Sequence, residues 1–295
     1  METNQNNLVV SPSSEESLIL FGTSSFSSKD WVGSFYPEDT KPVNFLRYYA
    51  QQFNTVEIDF TYYAIPSPKT VASWAEKIPD DFLVAVKFPR AIVHAGEDKH
   101  PNAEALLDHN ILQKVIKKFF KNIKKLGNKL GPMVLQFPYF NKKTFPTSEA
   151  FFTKLDNFLE RLPKEMQYAV ELRNRHWLND DFLSILRKHN TAFVFVDQAW
   201  MPMPDEFQNL DRFLTADFCY IRLLGNRKEV EALTTTWEKE VLDRTENLER
   251  ITDFLADLYS RKMRTYVYVN NHYTGHAPAA VRRLQQMFLD RKFNL

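Results

Sequence analysis

The sequence predicts an α/β fold: a single-domain (β/α)8 TIM barrel with an irregular segment between its sixth and seventh strands. Three observations carry this. Eight short apolar runs recur along the chain, amphipathic segments separate most of them, and nearly every run ends in polar or ionisable residues. Continuous apolar runs mark strands buried on both faces of a parallel sheet. Chemistry gathered at strand C-termini is the habit of such barrels.

The predicted strands are Leu18–Gly22, Thr55–Phe60, Phe82–Lys87, Met133–Gln136, Tyr168–Leu172, Ala192–Val196, Cys219–Leu223 and Thr265–Val269. The clearest predicted helix covers Glu104–Leu126, where apolar residues recur at three- and four-residue steps. Lysines crowd its C-terminal half and Gly127 follows as a stop. That lysine run reads as a solvated helix face rather than a nucleic-acid patch. Further helices are predicted near 42–52, 67–78, 148–161, 180–189, 246–262 and 277–289. No long helix is evident in 198–217, so a long loop or a short irregular helix must serve there. Residues 1–16 read as a flexible leader and 17–295 as one domain.

Composition bounds the function. The net charge is +1 with 38 basic and 37 acidic residues, a balance unlike that of a general polyanion binder. Nucleic acid is therefore a weakly supported partner. Cys219 is the single cysteine, so no intramolecular disulfide framework exists. No uncharged apolar run approaches the ~20 residues of a membrane span, and residues 1–16 lack a signal pattern. The expectation is a soluble, cytoplasmic protein without membrane contact.

The strand ends supply the candidate site. Thr23 and Ser24 follow strand one. Glu57 and Asp59 lie on strand two, with Tyr62 and Tyr63 beyond. Lys87 ends strand three, with His94 beyond. Gln136 ends strand four. Glu171 and Arg173 end strand five, with Trp177 beyond. Asp197, Arg222, Asn270, Asn271 and His272 complete the rim. In a strand, residues two apart share a face, so Glu171 and Arg173 point together to the axis or mouth while Leu172 packs outward.

Glu57, Lys87 and Glu171 are the candidate catalytic residues. The remaining rim residues, Asp59 apart, are candidate substrate contacts. Arg173 and Arg222 have the planar forks that grip a carboxylate or phosphate, and Lys87 adds a point charge. Nearby aromatics offer stacking faces. These features predict a metal-independent enzyme, with no cofactor, acting on a small anionic, ring-containing substrate. Alternatives are a metal-dependent phosphodiesterase, nuclease or isomerase barrel, and a non-catalytic nucleotide or nucleic-acid binding module. Three rim cations would compete with a divalent metal, and no His-x-His or His-Glu-x-x-His spacing occurs. A glycosidase of the large barrel group would need carboxylates on strands four and seven, where Gln136 and Arg222 stand.

The stretches GTSSF, WVGSFYP, FNTVEI, TYYAIPSP, VKFPR with His94, QFP, VELRNRHW and YVNNHYTGHAP occur in order between about residues 18 and 290. In this combination the chain resembles domain-of-unknown-function family 72, the YecE-like proteins. That resemblance implies a TIM barrel and carries no established reaction. The chain departs from the family pattern at Ser25–Ser28, where an aromatic pair is more usual. It has Asp59 where a small polar residue such as Asn is usual, and Leu224 where a histidine is usual.

Overall fold

The computed structural model describes residues 18–96 and 100–292. Eight parallel strands are present: β1 (Ile19–Thr23), β2 (Thr55–Ile58), β3 (Leu83–Lys87), β4 (Leu130–Gln136), β5 (Tyr168–Glu171), β6 (Thr191–Gln198), β7 (Phe218–Gly225) and β8 (Arg264–Val269). Each coincides with a predicted run to within three residues at either end. Nearly all their residues are buried, because helices cover the outside and side chains fill the inside. The predicted leader lies outside the described residues.

Period-two alternation sorts every strand into an outer and an inner set. Leu20, Ala85, Val134, Ala169, Ala192, Val194, Phe218, Tyr220, Tyr266 and Tyr268 form the inner cluster. Outer residues join the larger core beneath the helices. Small residues on β3, β5 and β6 leave room inside for the tyrosines of β7 and β8, as packing at constant density requires.

Major helices follow at Pro68–Lys77, Gln113–Ile123, Ser148–Glu160, Asp180–Lys188, Thr245–Ser260 and Ala277–Lys292. Two predicted helices are shorter than expected. Residues 102–112 form turns instead of extending the helix at Gln113. The Asn102 side chain accepts the N–H groups of Glu104 and Ala105, and Asp108 accepts those of Asn110 and Ile111. Such side chains offer the backbone an alternative to helix. Leu106, Leu107 and Leu112 remain buried, so the apolar spacing reported burial but not conformation. The helix predicted near 42–52 is reduced to Phe45–Tyr49 after one 3-10 turn. Between β6 and β7 only a 3-10 turn at Pro204–Glu206 and one helical turn at Leu210–Phe213 occur, as expected.

Backbone ladders join the strands in the order β1-β8-β7-β6-β5-β4-β3-β2. Among the described residues no ladder joins β1 to β2. Side chains stitch this seam. Asn54 Oδ1 accepts the Phe21 N–H at 3.0 Å. The Tyr49 hydroxyl accepts the Thr23 N–H at 2.7 Å and donates to the Thr55 carbonyl at 3.2 Å. The strands still abut: a Cβ on Gly22 would stand 2.1 Å from the Thr55 carbonyl oxygen. The barrel is therefore nearly closed, with one seam lacking a ladder.

Replacing Tyr49 with Phe removes the hydroxyl and strands the buried Thr23 amide. The expected cost is roughly 1–3 kcal/mol of unfolding free energy. Hydrogen exchange at Thr23 should quicken more than at strands remote from the seam. Gly22→Ala, which forces backbone apart, should cost more than Tyr49→Phe. Equal exchange at Thr23 in wild type and Tyr49→Phe would show that the hydroxyl does not hold the seam.

Candidate active site

The inner faces of β2, β3, β5 and β7 carry charge at their C-terminal ends. Arg222 on β7 is the centre. Its Nη2 donates to Glu57 Oε1 at 2.9 Å, and its Nη1 donates to Glu171 Oε2 and, at 2.9 Å, to Gln136 Oε1. Lys87 pairs with Asp59 and, at 3.5 Å, with Glu57. Arg173 Nε donates to Glu171 Oε1 at 2.9 Å. Tyr220, two residues before Arg222 and so on the same face, donates to Glu57 Oε2 at 2.7 Å.

Glu57 and Glu171 are fully buried, and Arg222 is 2% exposed. Three carboxylates thus face three cations. Burial works against the charge of Glu57, yet Arg222 and Lys87 outweigh it and draw its pKa down to about 2. Burial also opposes the charge of Glu171, and Arg222, Arg173 and Lys87 again prevail, lowering it. Asp59 moves the other way. Burial, with Glu57 close by, raises its pKa despite Lys87 and Arg222. Its side chain is also 30% exposed, so solvent reaches this carboxyl alone among the three. Asp59 stands on the rim that the sequence predicts, without a role predicted for it. The available signal was its shared face with Glu57.

The other expected site residues divide. Gln136 joins the cluster through Arg222. Tyr62 lies within electrostatic range of Arg90, Arg173 and Glu171, and burial raises its pKa. Tyr63 is mostly exposed and meets Tyr62 edge-on.

Thr23 faces the seam and bonds Tyr49. Ser24 is buried and its N–H bonds the Val269 carbonyl. His94 is buried in the loop after β3, where its Nδ1 accepts the Gly96 N–H. Trp177, after β5, stacks on Phe140 of the loop after β4 and on Phe151 of the helix Ser148–Glu160. Asp197 pairs in register with the outward Leu223, so it turns away from the axis toward Arg244 and Arg250. Asn270 caps the turn after β8, and Asn271 accepts from the Trp31 indole and the Ala277 N–H. His272 contacts Glu231 and Trp237. The loop after β8 is therefore built by the residues expected to bind substrate, because short polar side chains at loop starts meet the backbone's own demand first.

Ser34 Oγ lies 3.2 Å from His276 Nε2. His276 Nδ1 accepts the Ala279 N–H, so Nε2 carries the proton and cannot take one from the serine. This is a structural contact. Among the described residues no group of three or more His, Cys, Asp or Glu side chains is arranged to hold a metal ion.

Arg222→Met should cost about 3–5 kcal/mol at neutral pH, because Glu57 and Glu171 lose their shared partner inside the barrel. Glu57 has a folded pKa of about 2 against an ordinary 4.5, so its contribution is complete above the ordinary value and fades as pH falls toward 2. The deficit of Arg222→Met should accordingly shrink on acidification, where the stranded carboxylates take up protons. Denaturant titrations of both proteins across this window check it. A deficit that stays constant with pH would mean the loss is one of packing.

The description "Protein of unknown function DUF72" matches residues 20–294. UPF0759 protein YecE of Escherichia coli is 31% identical over 157 residues, 53% of this chain and 49% of that protein. UPF0759 protein YunF of Bacillus subtilis is 26% identical over 168 residues, 56% of this chain and 54% of that one. The chain thus spans about half the length of the curated relatives it matches. A crystal structure of a DUF72 protein from Thermotoga maritima superposes with a TM-score of 0.66 at 28% identity, covering 92% of this chain and 99% of that one. A DUF72 protein from Enterococcus faecalis, 21% identical with a TM-score of 0.62 over 92% of this chain and 97% of its own, shares the fold. With its barrel, its ordered motifs and a match across almost its whole length, this chain belongs to the DUF72 family.

Proposed function

We propose that the barrel mouth is a metal-independent acid–base site in which Asp59 exchanges a proton with a small ring-bearing substrate, whose anionic group is held at Arg173. One observation carries this reading. Asp59 is the single carboxyl of the cluster that both meets solvent and has its proton affinity raised. A general acid or base works best when its pKa is moved toward the working pH.

Glu57 and Glu171 take a different part from the catalytic one expected of them. Both their oxygens are occupied and both are held ionised, so they position Arg222, Lys87 and Arg173. Lys87 steadies the ionised form of Asp59 and stands beside any negative charge that appears when Asp59 gives up its proton. Arg173 uses Nε for Glu171 and is partly exposed, which leaves its outer nitrogens for a ligand, with the Tyr62 phenol nearby. The cluster is neutral when Asp59 is ionised and gains one positive charge when it is protonated. An anion should therefore bind together with a proton.

The metal-dependent alternative is disfavoured by the donor set of the cluster, since Glu57 and Glu171 already face fixed cations. A non-catalytic binding module would use the same anion site without turnover.

Sulfate, which does not titrate near neutrality, is the probe. Calorimetry should give an affinity that rises as pH falls through the Asp59 pKa. In Asp59→Asn the affinity should be high and level across the same range, and in Arg173→Ala it should be lost. Asp59→Asn should also gain stability at neutral pH, because an ionised Asp59 disfavours the folded state above its raised pKa. An unchanged pH profile in Asp59→Asn would overturn the assignment.

A further inference from the structure

A cavity of about 410 Å³ opens beside the β1–β2 seam, between the loops that follow those strands. Its walls include Ser25, Phe26 and Ser27 after β1, Asp59 and Phe60 after β2, and Trp74 of the helix Pro68–Lys77. The volume lies within the range of small-molecule sites. A larger hollow of about 830 Å³ between residues 100–104 and 141–144 is lined by exposed side chains and has no part in the charged cluster.

We infer that the seam cavity binds an uncharged polyhydroxylated ring, a monosaccharide unit, with Asp59 as its polar anchor. This rests on the acid–base reading of Asp59 and names the ring on which that residue would act. The wall combines two kinds of surface. The exposed Phe60 ring offers an aromatic surface that suits the C–H face of a pyranose, and Phe26 and the largely buried Trp74 complete the apolar wall. Asp59 supplies an acceptor, and Ser25 and Ser27, whose hydroxyls lie 3.2 Å apart and bond each other, add further polar atoms to the wall.

Asp59 contributes its Oδ1 to Lys87 and Arg222, and the exposed part of its side chain leaves Oδ2 to accept a hydroxyl. Among the described residues no lysine or arginine lines the cavity, so charge recognition falls to the neighbouring cluster. The cavity lies above this seam, between the loops that follow β1 and β2. Phe60, 53% exposed, is the large aromatic left uncovered at its edge. An exposed aromatic beside hydroxyls and one carboxylate is poorly explained by core packing.

The test uses neutral probes, so it does not depend on anion binding. Saturation-transfer NMR on the full chain with D-glucose, D-galactose and D-xylose, and separately with adenosine and guanosine, should give transfer to at least one sugar and weaker transfer to the nucleosides. Phe60→Ala and Ser27→Leu, both at exposed positions, should remove sugar transfer. Sulfate binding and its pH profile should persist in both variants and so report an intact barrel. Absence of transfer to every sugar, stronger transfer to a nucleoside, or sugar transfer that survives in both variants would each overturn the inference. If these fail while the sulfate profile still depends on Asp59, the acid–base reading stands and only the ring assignment falls.

Discussion

The site depends on one buried guanidinium. Arg222 is 2% exposed and bridges Glu57 of β2, Gln136 of β4 and Glu171 of β5 from its own strand, β7. An unpaired charge at that depth would be prohibitive, so each partner is obligatory for the others. The consequence is geometric. Strands on opposite sides of the barrel are tied at the level of the mouth, and everything above them inherits that rigidity.

The same constraint divides labour among the carboxyls. Two of them lie deep enough, and close enough to two cations each, to be locked as anions. The third, Asp59, sits one layer higher, two residues beyond Glu57 on the same face. There it keeps a cation partner but adds a further negative charge to a crowded place. In the proposed reading its proton is the one that moves. Buried ion networks add little net stability over apolar packing, so a balanced network beneath a single titratable carboxyl is better understood as preorganisation than as glue.

The β1–β2 seam is the second organising feature. Seven strand pairs close through backbone hydrogen bonds, whereas the eighth relies on Asn54, Tyr49 and Thr55. The Asn54 and Tyr49 side chains satisfy amides that would otherwise be buried without partners. They hold the two strands in contact, and the cavity and the solvent-reached edge of Asp59 lie above this seam.

The sequence by itself determined the strands and, at Glu171, Leu172 and Arg173, the side each residue faces, because apolar runs and period-two alternation are local properties. It also assembled Glu57, Lys87, Glu171, Arg173 and Arg222 at one end, since all five sit where a strand stops. Tertiary structure decided who pairs with whom. Glu57 and Arg222 are 165 residues apart in sequence, and only the closure of the barrel brings them together. It also decided the direction of each titration, which depends on depth and neighbours rather than residue type. Asp197 stands at a strand end, yet its pairing with the outward Leu223 aims it away from the axis, and Trp177, Asn271 and His272 meet loop partners that only the folded chain supplies. Position at a strand end is written in the local sequence; the direction of a loop side chain is set by what the rest of the chain packs against it.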